Sequence, residues 1–259
     1  MILKPLNIFV GTSDTEDTFI ERILVYTLSK NTKYPLNIRF LRPRDFPNWN
    51  RDTWGTPFTC FRYAIPHIMG YKGRALYFDV DQTNFRDISD LYFTDLEGCA
   101  FGMVWDALQD NGQLGKKQGR PRGWFCDSVM LMDCAKAKQY IEHPDKIAKW
   151  KGSYKWHFPE QIGCPIKEKA KGIVYELDQR WNSFDGRATA EEVKTNRSED
   201  QSDLPLHEIW HLHWTTISSQ PWHPKYHASG KMQHHRQDLC YQLWKYAKIV
   251  HQIGNVNDY

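Results

Sequence analysis

The feature that most constrains this chain is the run from Gly73 to Asp81, which reads Gly-Arg-Ala-Leu-Tyr-Phe-Asp-Val-Asp. Four mostly apolar residues followed at once by two carboxylates describe a buried strand that emerges at the ligand-binding edge of a sheet. In an extended segment alternate side chains share a face, so Asp79 and Asp81 point the same way, about 7 Å apart along the backbone. Two carboxylates so placed suit one hard cation. Mn²⁺ or Mg²⁺ prefers oxygen ligands and keeps open positions that diphosphate oxygens fill. Alone, Asp-x-Asp arises by chance in many proteins, most often as a solvated turn or helix start. Here the strand pattern ahead of it, and the helical turn predicted over 87–92, give it a context.

The rest of the chain reads as strands and helices in alternation. Residues 6–10 are a short apolar run ending at Gly11, a first buried strand that enters a tight turn. Ser13 to Glu16 offers a capping box for a helix whose Ile20, Ile23, Leu24, Thr27 and Leu28 share one face. A second strand is predicted over 36–41, a helix over 59–68 with Pro66 kinking or ending it, and further strands over 99–105 and 128–132. The basic, glycine-rich stretch 112–123 between the last two reads as a mobile loop, and one that closes over a diphosphate if its glycines hinge. Residues 135–170 read as mostly helical, and the polar stretch 186–205 as a disordered excursion. Leu239, Leu243, Tyr246, Ala247 and Val250 give the C-terminal end an amphipathic pattern. With 259 residues, one large α/β domain is the expectation.

Composition removes several classes of function. The 34 basic and 31 acidic residues leave a formal charge of only +3, no field strong enough to argue for nucleic acid, so any polyanion held is small. The six cysteines form no Cys-x-x-Cys pair or regular framework, which suits a reducing cytosol. The first residues lack the apolar core of a signal peptide, and no stretch approaches the ~20 apolar residues that span a bilayer, so a cytoplasmic, unanchored protein is expected. Residues 222–251 are rich in Lys, His and aromatics, a makeup that suits peripheral contact with an anionic membrane carrying a lipid-linked acceptor. A packed terminal helix accounts for the apolar residues equally well.

The segment from Arg62 through Asp81 to Leu91 resembles the core of glycosyltransferase family 8 and its GT-A-fold relatives. The resemblance extends in order along most of residues 6–225. It implies an α/β fold, a GT-A-type, Rossmann-like mixed sheet flanked by helices, filling residues 1–225, with a helical C-terminal extension over 226–259 packed on the same domain. Val10 to Asp14 is similar to the family's first strand and nucleotide-contacting turn, which implies Thr12 and Asp14 near uracil and ribose. Residues 124–133 resemble the family's Phe-Asn-small-Gly-Val strand, with Cys126 at the Asn position and Ser128 at the Gly position. Glu160 and Gln161 resemble the Asp-Gln pair facing the donor sugar, implying Glu160 on sugar hydroxyls and Gln161 beside the anomeric carbon. Asn182 matches the Asn that follows an aromatic in a later segment. The family's third metal ligand is a His in His-x-x-Gly-x-x-Lys-Pro-Trp. The text here runs from His213 to Trp222 with one extra residue, no Gly, and Gln220 for the Lys.

Taken together, the resemblance implies a retaining, metal-dependent transferase that moves a hexose from a nucleotide sugar, a UDP-hexose, to a hydroxyl on a glycan, lipid-linked or protein acceptor. Asp79, Val80, Asp81 and Arg62 then face the diphosphate, with Mn²⁺ or Mg²⁺ held by the two carboxylates and by His213 or His211. Several choices stay open. Arg62 is either a surface helix residue paired with a local acid or a cation on the phosphates. Asp127 is either a hydrogen-bonded buried acid or a donor-sugar contact in place of the missing Asn. The histidines are metal ligands, core residues, or with His207 a site for a softer metal. Two other functions remain, a degenerate binder of nucleotide or glycan and a sugar-phosphate nucleotidyltransferase.

Overall fold

Apolar runs and alternating patterns divide the strands of the larger sheet into central and edge positions, as the computed structural model bears out. It describes residues 3–14, 18–52, 54, 56–106, 124–149, 170–185, 204–215, 220–223, 234 and 236–257. The chain falls into two compact units. The first comprises Met1–Glu16, Lys33–Val80 and Ser89–Asp178, the second Asp17–Thr32, Asp81–Ile88 and Gln179–Tyr259.

The first unit is built on a six-stranded mixed sheet. Its strands are β1 (Leu6–Gly11), β2 (Leu36–Leu41), β3 (Arg74–Asp79), β5 (Phe101–Asp106), β6 (Trp124–Asp133) and β7 (Val174–Leu177), in the order β2-β1-β3-β6-β5-β7. β1 runs parallel to β2 and β3, β6 is antiparallel to β3 and β5, and β7 is parallel to β5. β1 and β3 are buried almost throughout, as strands covered on both faces should be. β2 lies at the edge, where Asn37 and Arg39 are exposed between half-buried apolar neighbours. Helices α2 (Ile65–Ile68), α3 (Ile88–Tyr92), α4 (Cys134–Ala137) and α5 (Pro144–Ile147) are short. The helix predicted over 59–68 is instead a 3-10 segment, Thr59–Ala64, that passes into α2, with Pro66 in the first turn of α2 where its missing N–H costs nothing. The expected long helix over 135–170 is, up to residue 149, two four-residue helices. Asp133 caps the first by accepting from the backbone N–H groups of Ala135 and Lys136, and Pro144 starts the second.

The second unit carries a three-stranded sheet, β4 (Gln82–Asn84), β9 (His211–His213) and β8 (Ser183–Phe184), in the order β4-β9-β8. Against it lie α1 (Thr18–Ser29) and the long C-terminal helix α6 (Gln237–Asn257). Asp14 sits in a turn, and residues 15 and 16 of the predicted capping box lie outside the described residues. Ile20, Ile23, Leu24, Thr27 and Leu28 are buried, as their helical spacing predicts, and so are all five residues of the apolar face of α6. The two helices meet through the Tyr26 and Tyr246 rings, 5.9 Å apart, and Arg22 donates to the Val250 carbonyl at 2.7 Å. Tyr241, Trp244 and Ile253 of α6 are exposed. Among the described residues no helix is long and apolar enough to cross a membrane.

Candidate active site

In the first unit the site begins where β1 and β3 end together. Gly11 stands opposite Asp79 in the strand register, and the Val80 N–H donates to the Gly11 carbonyl at 3.0 Å. Tyr77 and Asp79 share a face of β3, two residues apart, and the Tyr77 hydroxyl donates to Asp79 Oδ1 at 2.5 Å. Arg62, from the 3-10 segment, donates through Nη2 to the same oxygen at 2.9 Å and through Nε to the Thr59 carbonyl. Its Nη1 pairs with Asp127 Oδ1 at 2.8 Å and donates to the Asp127 carbonyl. The other Asp127 oxygen accepts from the Tyr63 hydroxyl at 2.7 Å.

Arg62 is 2% exposed, so it is no surface residue. Each of its three nitrogens donates within the unit, which makes it a clamp on two carboxylates. Burial works against its charge, but Asp127 and Asp79 outweigh that and hold its pKa well above the ordinary value. Burial pushes the Tyr77 phenol well above the usual tyrosine range, so it stays protonated and remains a donor. Of the other residues expected here, Thr12 is buried with its N–H on the Leu41 carbonyl, and Asp14 is exposed, 4.0 Å from Arg44. Cys126 and Ser128, at the departures from the family strand, lie 3.1 Å apart through sulfur and hydroxyl.

In the second unit β4 pairs with β9 so that Gln82 lies opposite His213, and the Trp214 N–H holds the Asp81 carbonyl at 3.0 Å. Gln220 donates from its amide nitrogen both to Asp81 Oδ2 at 3.0 Å and to the Trp214 carbonyl at 2.8 Å. Asp81 Oδ1 is buried and accepts no hydrogen bond, with His213 Nε2 3.5 Å away. The two histidines differ in burial. His211 is fully buried, with Nδ1 3.3 Å from Asn84 Oδ1 and Nε2 2.9 Å from the Gln82 amide. Burial first, then the neighbouring His213, hold its pKa down at about 3, so the ring is neutral and carries one N–H. The Asn84 amide nitrogen is committed to the Thr27 and Arg86 carbonyls. Both ring nitrogens face side-chain amide oxygens, Asn84 Oδ1 and Gln82 Oε1, and the single N–H donates to one of them. His211 is thus a fully buried residue with both ring nitrogens against side-chain amides. His207 is exposed on a separate short 3-10 helix beside Glu208, so the softer-metal cluster does not form.

Asn182 is fully buried at the end of the 3-10 segment Gln179–Asn182. Glu160, Gln161 and the glycine-rich loop lie outside the described residues. Sequence reasoning missed Tyr63 and Tyr77, although the i, i+2 spacing of Tyr77 to Asp79 was on view. It also missed buried Asp185, which accepts from the Thr215 N–H and hydroxyl, both at 2.9 Å, and pairs with His234 at 3.0 Å.

Solved glycosyltransferases share this architecture. The galactosyltransferase LgtC, in complex with donor and acceptor sugar analogues, superposes with a TM-score of 0.59 at 15% identity over 94% of this chain and 95% of its own. GlyE of Streptococcus pneumoniae gives 0.58 at 16% over 95% of this chain and 62% of its own. Mouse xyloside xylosyltransferase 1 gives 0.54 at 12% over 82% and 98%. At such identities the likeness is one of fold, the GT-A fold. Protein CDI of Arabidopsis thaliana is 24% identical over 178 residues, 62% of this chain and 66% of that protein, just under two thirds of its length. The sequence profile of Glycosyl transferase family 8 matches residues 6–226, and the chain belongs to that family, a retaining one. Family membership sets aside the nucleotidyltransferase reading.

Proposed function

We propose that the chain moves a hexose from a nucleotide sugar, a UDP-hexose, to a hydroxyl of a glycan, lipid-linked or protein acceptor, with Asp79, Asp81 and His213 holding Mn²⁺ or Mg²⁺. The observation that carries the reading is Asp81 Oδ1, a buried carboxylate oxygen with no hydrogen-bond donor, beside His213 Nε2 at 3.5 Å. An oxygen withdrawn from water and left without a donor is costly unless a cation takes the donor's place, and a carboxylate–imidazole set suits these divalent ions. Such a cation offsets the charge that builds on a departing nucleoside diphosphate.

The residues divide the remaining work. Gln220 holds Asp81 by Oδ2 and so turns Oδ1 away from itself. Arg62 and Tyr63 fix Asp127 at the sheet edge as an acceptor for donor-sugar hydroxyls. The family resemblance supports Thr12 and Asp14 near the nucleoside, Asn182 at the donor, Glu160 on sugar hydroxyls and Gln161 beside the anomeric carbon. Retention is served when the acceptor attacks on the face the diphosphate leaves, a phosphate oxygen taking its proton.

Titration calorimetry with UDP, with and without Mn²⁺, tests the reading on the wild type and on Asp79→Asn/Asp81→Asn. Metal-dependent binding that disappears in the variant supports it. UDP binding that ignores both metal and substitution overturns the assigned cation site.

A further inference from the structure

Tyr77 is fully buried in the central strand of the larger sheet, yet it ends in a polar hydroxyl. A buried phenol needs a partner, and this one is specific, since its hydroxyl donates to Asp79 Oδ1 at 2.5 Å. The space it occupies exists only because residue 11 has no side chain. A Cβ on Gly11 would lie 2.1 Å from the Tyr77 hydroxyl oxygen and 2.9 Å from Phe58 Cδ2, distances that no packed methyl tolerates. Gly11 is also the strand partner of Asp79, so the notch lies beside the carboxylate that the phenol reaches. On the ring face, the Arg62 guanidinium carbon sits 4.5 Å from the Tyr77 centroid while its Nη2 donates to the same Asp79 oxygen.

We infer that Tyr77, seated in the notch left by Gly11, is a positioning residue. With Arg62 it takes Oδ1 of Asp79 and so fixes the rotamer in which the carboxylate meets the divalent cation. The inference deepens the cation-site reading proposed above and rests on it. Arg62 reaches Oδ1 from the 3-10 segment, and Tyr77 reaches it from the same strand two residues away. Two donors rooted on different elements fix the direction of that oxygen more firmly than either one does. Hydrogen-bond partners behind metal-binding side chains typically contribute tenfold to a hundredfold to metal affinity.

The test counts bound Mn²⁺ by electron paramagnetic resonance, without any turnover, in the wild type and in Tyr77→Phe, Gly11→Ala, the double variant and Tyr92→Phe. Tyr92 is the control, because its hydroxyl donates to the Arg74 carbonyl at 2.9 Å, at the opposite end of the same strand. Tyr77→Phe is expected to weaken Mn²⁺ binding roughly tenfold or more. Gly11→Ala is expected to do the same by expelling the phenol, and the two losses should fail to add in the double variant. Tyr92→Phe should lower the melting temperature without changing Mn²⁺ affinity. Unchanged affinity in Tyr77→Phe overturns the positioning role while leaving the cation site standing. Equal losses in Tyr77→Phe and Tyr92→Phe overturn it too, since they reduce it to general sheet stability. If the wild type binds no Mn²⁺, the cation-site reading fails first and the inference falls with it. Should Tyr77→Phe not fold, Gly11→Ala on its own decides, retained affinity counting against the inference.

Discussion

Arg62, itself buried, pairs with two half-buried carboxylates, Asp79 and Asp127. Removing it takes the cation from both while Tyr77 and Tyr63 remain as neutral donors, so the cost should fall somewhat below the roughly 3–5 kcal/mol of a fully buried broken pair. Arg62→Ala is therefore expected to lower the urea midpoint sharply, and Arg62→Lys to recover only part of the loss because an ammonium cannot span the two acids as the guanidinium fork does. His211 makes a prediction in pH. Its folded pKa, about 3, lies below the unfolded value near 6.5, so the unfolded chain binds the extra proton and stability falls as pH drops through that window. Between pH 7 and pH 5 this loss is about 2 kcal/mol. Urea unfolding in the presence of a chelator should show it in the wild type, and His211→Gln should flatten it. At this scale the sequence disclosed the acids and the histidines but not their partners. Arg62 and Asp127 are 65 residues apart, and no local pattern encodes a contact of that span.

Elements were legible where burial imposes a period. β1, β2 and β3 and the apolar faces of α1 and α6 stand as their hydrophobic spacing predicts, whereas β4, β8 and β9 have two or three residues each, too few to carry a period at all. β6 begins at Trp124, four residues before its apolar run, because pairing with β5 and not hydrophobicity sets its start. The helix predicted over 59–68 was legible as helical but not as 3-10 over Thr59–Ala64, because all six of those residues are buried and no amphipathic face marks its period. Two substitutions test how tightly these elements are packed. A Cβ on Gly102 of β5 would meet Leu96 Cδ2 at 2.8 Å and Leu177 Cδ2 at 3.2 Å, so Gly102→Ala should destabilise by about 1–3 kcal/mol through overpacking. Leu243 of α6 is 1% exposed, and Leu243→Ala should cost about 2–5 kcal/mol. Thermal melts read both, and a change smaller than a degree in either would mean that the neighbouring side chains repack freely.

For the molecule as a whole, the chain passes between its two compact units five times, so neither unit is a continuous stretch of sequence. A fragment of residues 1–178 completes the strands of the larger sheet but keeps α1 and β4 without α6 and β9, leaving Ile20, Ile23, Leu24 and Leu28 without their cover. It is expected to bind a hydrophobic dye and to lack dispersed side-chain resonances, where the full chain shows neither defect. The same topology sets a timetable for synthesis. β4, which directly follows the paired carboxylates, waits for β9, made roughly 130 residues later. At about 5–20 residues per second that delay is on the order of ten seconds. Over that interval the nascent chain carries Asp79 and Asp81 without the strand that brings His213, so the proposed cation site is completed only late in synthesis.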